Sequence, residues 1–394
     1  MPSATAATPE AKEIVDSAGI RFTVASRPQR RFSASQTVSN LAGATSFAPI
    51  QLPATGFVRK VALFFTAAAA TSGSGVAVAG DAPFNLVSAI TLTDATGQPV
   101  TQPISGYSLY LVNKYLPAGD INTNLPRAYN NPHLGPEYAF TVSATAMSAA
   151  FRLDLELEQD YNTGYGSVPN LDSNASLQLK IDVAAVSVAY TGGTPSAATV
   201  SVRVSQYYWA PVGQQLNGQA VDTDPVGFGD YIETRYETQT VTAAAENLVQ
   251  ITNRGGLIKG FIVVSRAATI RTAVTALSPF GLILDNNPID EGILLEEHQD
   301  YMRRIYGYWG AAIGAGVSAY AALGAGIAAG IEVGVLAHYF GAYSGGRDSW
   351  LATRVGSLLQ IRLTPGASAT SLEIITQLGQ IRRPEAFYAK SALD

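Results

Sequence analysis

The stretch from Gly56 to Ala68 reads GFVRKVALFFTAA, and the stretch from Gly256 to Ala268 reads GLIKGFIVVSRAA. Each opens on glycine, continues with an apolar pair and a basic residue, and runs through apolar residues to Ala-Ala. Two such phrases half a chain apart constrain the fold more than any other feature, because they imply one unit built twice. The surroundings repeat in the same order. FAPIQLPATGFVRKVALFFTAA leads to PFNLVSAITLTDATG in the first half, and LVQITNRGGLIKGFIVVSRAA leads to PFGLILDNNPIDEG in the second. Further on, YNTGYGSVPNLDSNASLQLKID is matched by YSGGRDSWLATRVGSLLQIRLT.

The repeated unit is a β-sandwich. FRLDLELE (Phe151–Glu158) sets Leu153, Leu155 and Leu157 against Arg152, Asp154 and Glu156, and SLQLKIDV (Ser176–Val183) and SLLQIRLTP (Ser357–Pro365) alternate in the same way. A period of two gives each strand one buried and one wet face, the pattern of packed antiparallel sheets. DATGQP, TGGTPS and DNNPIDEG read as the turns between runs. With 394 residues the chain has room for two such domains. The expected division is an N-terminal arm over 1–40, a first sandwich over 41–217, a linker over 218–240 and a second sandwich over 241–394.

Two helices are expected within this all-β frame. One is short, Pro9–Ser17. The other spans Glu291–Trp309 and places Leu294, His298, Tyr301, Met302 and Ile305 on one stripe. The Ala/Gly-rich segment Gly310–Gly330 is an insertion in the second sandwich. Its span of 27 residues without charge, Ile305–Ile331, is long enough to cross a bilayer, but Ala and Gly gain little from lipid. A helix packed closely on protein, a surface loop and a lipid contact are all compatible with it.

Composition narrows the function. Charged residues make up only 14% of the chain, against 47% hydrophobic, which suits a surface spent on contacts with other copies. Net charge is −5, so the whole is not a nucleic-acid binder. The absence of cysteine removes disulfides and thiolate chemistry. The three histidines, His133, His298 and His338, are not at metal-ligand spacing, and EEHQD (Glu296–Asp300) reads as a solvated helix face. GAGVSA (Gly314–Ala319) has the glycines of a dinucleotide loop without the preceding strand. No catalytic, cofactor or metal site is expected. The competing enzyme reading is a carbohydrate-binding or carbohydrate-cleaving sandwich using Asp154, Glu156 and Glu158, which strand alternation instead places on one solvated face. A spike or cell-surface protein is a third reading; the N-terminus has no apolar signal core, and a cytoplasmic origin is expected.

No acidic residue lies between Asp16 and Asp81, while Arg21, Arg27, Arg30 and Arg31 cluster there. They make an arm suited to anionic lipid or nucleic acid, or merely a solvated one. With its Pro, Ser and Arg content, Thr8–Ser39 is expected to be poorly ordered away from a partner.

The segment Ala82–Leu116, APFNLVSAITLTDATGQPVTQPISGYSLYLVNKYL, resembles the first jelly roll of tectivirus-type major capsid proteins. The resemblance is carried by an NLV strand, a turn, and the run Ser105, Gly106, Tyr107, Leu109, Val112 and Asn113. VSQYYWAPVGQQLNG (Val204–Gly218) is similar to the family's exit from that jelly roll, NRGGLIKGFIVVS (Asn253–Ser265) to the entry of the second, and DYMRRIYGY (Asp300–Tyr308) to its Arg-rich helix. The resemblance implies two tandem eight-stranded antiparallel jelly rolls in a structural coat protein of the virion, without enzymatic activity. It implies homotrimers that tile an icosahedral shell over an internal membrane, beside penton and minor proteins. It also places Arg21, Arg27, Arg30 and Arg31 on the membrane-facing side, without sequence-specific contact to nucleic acid. The Ala/Gly tract departs from the family pattern.

Overall fold

The computed structural model describes residues 20–381 except 40–42, 73–76, 117–137, 144, 160–163, 193, 217–218, 226–229, 254, 269, 272–279, 307–331, 333, 341–349, 354–356 and 366–367. Helix Pro9–Ser17 and the tract 310–330 therefore lie outside the described residues.

The first half opens on a single helical turn, α1 (Phe22–Ala25), and continues through β1 (Pro28–Ser39), β2 (Thr45–Ser46), β3 (Ile50–Gln51) and β4 (Gly56–Ser72). Next come β5 (Val87–Thr93), β6 (Pro99–Ile104), helix α2 (Gly106–Tyr115), β7 (Tyr138–Val142) and β8 (Ala146–Glu156). It ends with β9 (Val168–Asn170), β10 (Gln178–Val183) and β11 (Thr194–Trp209). One sheet has the order β1-β11-β4-β8-β7, with β9 also on β4; β2 and β3 join the other sheet, β10-β5-β6.

The second half repeats this plan. It runs β12 (Asp230–Thr240), β13 (Asn247–Ile251), β14 (Leu257–Ala267), β15 (Phe280–Leu284), β16 (Asn287–Ile293) and α3 (Leu295–Tyr306). Strands β17 (Val335–Tyr339), β18 (Leu351–Ala352), β19 (Leu359–Leu363) and β20 (Ser371–Ile381) complete it. Its sheets have the orders β12-β20-β14-β17, with β18 on β14, and β13-β19-β15-β16. In both halves the chain alternates between two antiparallel sheets in the same sequence, and in both a helix follows the sheet-two hairpin, β5-β6 or β15-β16, before the chain returns to sheet one. Among the described residues each half has eight strands of five residues or more, and each is a jelly roll. The likeness reaches the short strands: β9 pairs with β4 at Gly56–Val58, and β18 with β14 at Leu257–Ile258.

The shared opening glycine has a local reason at the first copy. Gly56 has φ +146°, and a Cβ there would stand 2.1 Å from the Trp209 carbonyl oxygen. The chain can therefore enter β4 beside β11 only without a side chain.

Two expected boundaries are corrected. The proposed arm is part of the first sandwich from Pro28 onward: β1 pairs with β11 from Pro28↔Trp209 to Ser39↔Thr199. Phe22 is buried against Phe57, ring centroids 5.2 Å apart, and Ile20 bridges to Val221. The stretch 20–39 is thus held by the fold without a partner. Likewise much of the proposed linker is β12, which pairs with β20 over all eleven residues from Asp230↔Ile381 to Thr240↔Ser371. Both are edge strands whose few inward side chains, Ala34 and Val38 in β1 and Ile232 in β12, are scattered among polar and charged residues, and backbone ladders that leave no hydropathy signal supply much of the hold.

Smaller differences follow the same logic. Helix α3 spans Leu295–Tyr306 within the expected Glu291–Trp309, and Leu294, expected on its buried stripe, is 52% exposed. Only Asp285 and Asn286, both at positive φ, form the turn expected of DNNPIDEG; Asn287–Ile293 is strand. Two residues in that conformation make the tight hairpin loop whose twist suits flanking strands.

Strand β14 also explains why its sequence is apolar without alternation. Phe261 and Val263 pack in the second core, while Ile262 and Val264 pack with the first sandwich's cluster, and all four are fully buried. One face of the second sandwich is therefore covered by the first.

Candidate functional site

The seam between the sandwiches is where buried polar groups concentrate. Helix α2 starts at Ser105, whose hydroxyl accepts from the Ser108 backbone N–H at 3.0 Å, an N-cap. All ten residues of α2 are buried, one side on its own sandwich and the other on the sheet containing β14. Lys114 Nζ donates to Glu332 Oε1 at 2.5 Å, Tyr110 donates to the same oxygen at 2.5 Å, and the Tyr115 hydroxyl donates to Oε2. Burial raises the pKa of Glu332, but Lys114 and these donors outweigh it and hold the carboxyl below its ordinary value. Ser108 Oγ donates to Glu373 at 2.9 Å, and Arg266 bridges Glu373 (2.6 Å) to Asp81 (2.7 Å) across the seam. Burial opposes charge on Arg266, yet the two carboxylates outweigh it and push its pKa up. Lys259, fully buried, donates to the Leu116 carbonyl at 3.0 Å and to Gln159 Oε1 at 2.5 Å. The arrangement can fix one relative placement of the two sandwiches, since each ion finds its partner only in that register.

The outer face of the first sandwich's β1-β11-β4-β8 sheet is different. Tyr207, Lys60 and Glu156 form one cross-strand row, and Arg203, Phe64 and Arg152 another. Arg30 and Lys60 lie over the Tyr207 ring at 5.5 and 4.9 Å, Arg203 over Phe32 at 4.7 Å, and Arg152 over Phe64 at 5.2 Å. Arg203, Arg30 and Phe32 are exposed.

The carboxylates of the carbohydrate reading do not share a solvated face. Asp154 accepts from Lys60 at 2.9 Å and from both Arg152 nitrogens at 2.7 and 2.8 Å. Burial raises its pKa, but Lys60 and Arg152 outweigh that and keep it below the ordinary value, so it is ionised where an acid catalyst would carry a proton. Glu158 is buried, paired with Arg59, and accepts from Trp209 Nε1 at 2.6 Å. Asp154 is further fixed by Asn113 of α2, whose amide bonds both its backbone N–H and its carbonyl.

EEHQD is not a wholly solvated face either. His298 is buried, bonded through Nε2 to the Ala337 carbonyl at 3.1 Å, and stacks 6.4 Å from the buried ring of His338. Burial lowers His298 to about 4; burial and the neighbouring His298 lower His338 to about 3. Their pairing across 40 residues was visible only once β17 was placed beside α3. Among the described residues no three potential metal ligands gather, and no helix is long and apolar enough to cross a membrane.

The four arginines are exposed but do not form one patch. Arg21 caps α1 and Arg27 precedes β1, while Arg30 and Arg31 are successive on β1 and so project from opposite faces of the sheet.

No protein-family model matches the sequence, and no curated protein matches it. Solved structures do. The chain shares its two-jelly-roll architecture with viral coat proteins. The crystal structure of the major capsid protein of Sulfolobus Turreted Icosahedral Virus superposes with a TM-score of 0.57 at 15% identity, covering 93% of this chain and 100% of that one. The chain in the atomic structure of the whole Sulfolobus Turreted Icosahedral Virus gives 0.57 at 13%, covering 90% and 92%. The major capsid protein P2 of bacteriophage PM2 gives 0.50 at 10%, covering 92% and 99%. At such identities the likeness is one of fold: this chain is a double jelly roll.

Proposed function

We propose that the protein is the major capsid protein of a virion, a structural component whose copies associate into trimers that tile an icosahedral shell. The observation that carries this is the duplication itself. Two jelly rolls of one plan sit side by side in a chain, so three chains present six similar units, and a threefold assembly acquires the outline of a hexagon that packs in a plane. Nearly the full length of the chain takes part in the likeness to two viral major capsid proteins. The ion-paired state of Asp154 and Glu158 speaks for a structural role. An internal membrane, contacted through Arg21, Arg27, Arg30 and Arg31, and contacts with penton or minor proteins belong to the same reading.

Light scattering on the purified protein tests it. The expected mass is that of three chains of 41.3 kDa each. A mass of one chain at all micromolar concentrations overturns the trimer. Binding of the protein to anionic vesicles, lost when the four arginines are replaced by glutamine together and weakened by only one of Arg30→Gln and Arg31→Gln, which project from opposite faces, is the outcome expected of membrane-facing arginines; unchanged binding removes them.

A further inference from the structure

The two repeats align residue by residue, because each carries a bulge at the same place. Arg59 is skipped where β4 pairs with β11, and Lys259 is skipped where β14 pairs with β20. In this register Asp154 of β8 lies opposite Ala62, and Ala337 of β17 lies opposite Ile262. Asp154 and Ala337 are therefore the same position of the fold.

At that position both repeats fasten a helix to the edge of a sheet. Past Phe151, β8 has no strand on its outer side among the described residues, and β17 ends its sheet. Asn113, in the last turn of α2, accepts from the Asp154 N–H at 2.9 Å and donates to its carbonyl at 2.6 Å. His298, in the first turn of α3, meets the Ala337 carbonyl through Nε2 at 3.1 Å, and the Tyr301 hydroxyl donates to the Tyr339 carbonyl at 3.3 Å. The helices reach the strand from different turns, but the clasp is the same. The next position along the strand is Leu155 in the first repeat and His338 in the second. The first clasp is thus an amide beside a leucine, neither of which titrates. The second is an imidazole beside an imidazole, both buried, with ring centroids 6.4 Å apart.

The surroundings of the two rings offer little to balance added charge. Phe261 of β14, Phe280 of β15 and Phe340 beyond β17 bring only aromatic rings, and Tyr301 of α3 a ring and a neutral hydroxyl. His338 Nδ1 is buried without a hydrogen-bond partner. The carboxylate nearest to it is Asp290 of β16 at 3.8 Å, and burial raises the pKa of Asp290, so it loses its charge as acid is added. On α3, Glu297 accepts from the Leu294 N–H at the helix start, and Asp300 pairs with Arg304 on the outer side. Glu332, ahead of β17, is held by Lys114 of the first sandwich.

We propose that the second clasp is an acid-operated release: protonation of His298 and His338 frees α3 from the edge of β17, while Asn113 keeps α2 on β8. The Nε2 donor survives protonation. What drives release is a pair of like charges in an apolar box, relieved when the helix leaves and both rings meet water. The sign follows from the folded values of about 4 and about 3. In the released form the rings return toward 6.5, so that form binds more protons, and its population rises as pH falls below 6.5. Each histidine contributes up to about tenfold per pH unit.

Hydrogen exchange read by mass spectrometry on the full-length protein, corrected for the intrinsic pH dependence of exchange, tests this. Protection of the α3 amides is expected to fall by close to about a hundredfold per pH unit between roughly pH 5.5 and 4.5, at a pH where α2 is still protected. His298→Asn with His338→Leu copies the Asn113 and Leu155 of the first repeat and is expected to remove that slope from α3. The milder His298→Gln, which leaves His338 in place, is expected to leave about tenfold per pH unit. Loss of protection in α2 and α3 together at every pH overturns the proposal, because the acid response is then global unfolding. So does an α3 slope that persists in either variant at its original value.

Discussion

At the scale of single residues, burial of ionisable groups decides how this protein answers pH. His298 and His338 stay neutral when folded, with values near 4 and 3 against an ordinary 6.5. Between those limits the unfolded chain binds more protons than the folded one, so stability falls as pH drops below 6.5. The slope approaches about 1.4 kcal/mol per pH unit for each histidine. Glu332 and Asp154 are depressed, so their stabilising contribution is present at neutral pH and is lost only as pH falls below their ordinary values of 4.5 and 3.8 toward the folded ones. Of these four groups, only the histidines act between pH 6.5 and 4.5, and below 4.5 the two windows overlap. His338→Phe, which keeps a ring beside Phe261 and Phe340, is expected to flatten the stability-against-pH curve between pH 6.5 and 4.5; urea titrations at each pH measure it, and an unchanged slope refutes the account. At neutral pH, Glu332→Gln leaves Lys114 buried without its counter-charge and is expected to cost about 3–5 kcal/mol. The double change Lys114→Met with Glu332→Leu should cost clearly less, and equal losses would show that the pair is not what holds the site.

At the scale of elements, hydropathy revealed what was buried on one face and missed what was held mainly by backbone ladders with a few scattered inward side chains. The alternation of Leu153, Leu155 and Leu157 made β8 readable, and the same is true of β10 and β19, whose inward residues are all below 5% exposed. Strands β1 and β12 were read as arm and linker because PQRRFSASQTVS and DYIETRYETQT show no apolar face. Their Thr, Tyr, Ile and Val content carried a weak strand signal that the charges obscured. The same strand was missed in both halves, as expected if the halves are copies. The candidate interface was less legible still, because Glu332, Glu373 and Arg266 meet α2 only through tertiary pairing. Gly260 marks a tight point where α2's end meets the second sandwich. A Cβ there would lie 2.5 Å from the His338 carbonyl oxygen and 2.5 Å from a Leu116 methyl carbon. Backbone cannot yield as a side-chain tip can, so Gly260→Ala is expected to cost about 1–3 kcal/mol in chemical denaturation. Gly213→Ala, where the nearest atom stands 3.9 Å away, is the control expected to cost far less.

At the scale of the whole molecule, the two sandwiches do not have independent cores. Ile262, Val264, Val335, Ala337, Tyr339 and Ile375 are strands of the second sandwich, yet they pack in one continuous cluster with the first sandwich's Leu63, Phe65 and Leu155. Separating the sandwiches would expose that apolar face together with Glu332, Glu373 and Lys259, whose partners lie on the other side. Uncovering such a face costs more than a polar domain interface would, so neither half can melt while the other keeps its seam. Calorimetry on the dissociated single chain is therefore expected to show one transition, with van't Hoff and calorimetric enthalpies equal. Glu373→Ala removes the acceptor shared by Ser108 and Arg266, and should loosen this coupling enough to split the transition or lower the enthalpy ratio. Two resolved transitions in the unsubstituted protein would mean that the seam is a docking contact between self-sufficient domains. A duplicated fold would then have been joined by a tether, rather than fused into one rigid body.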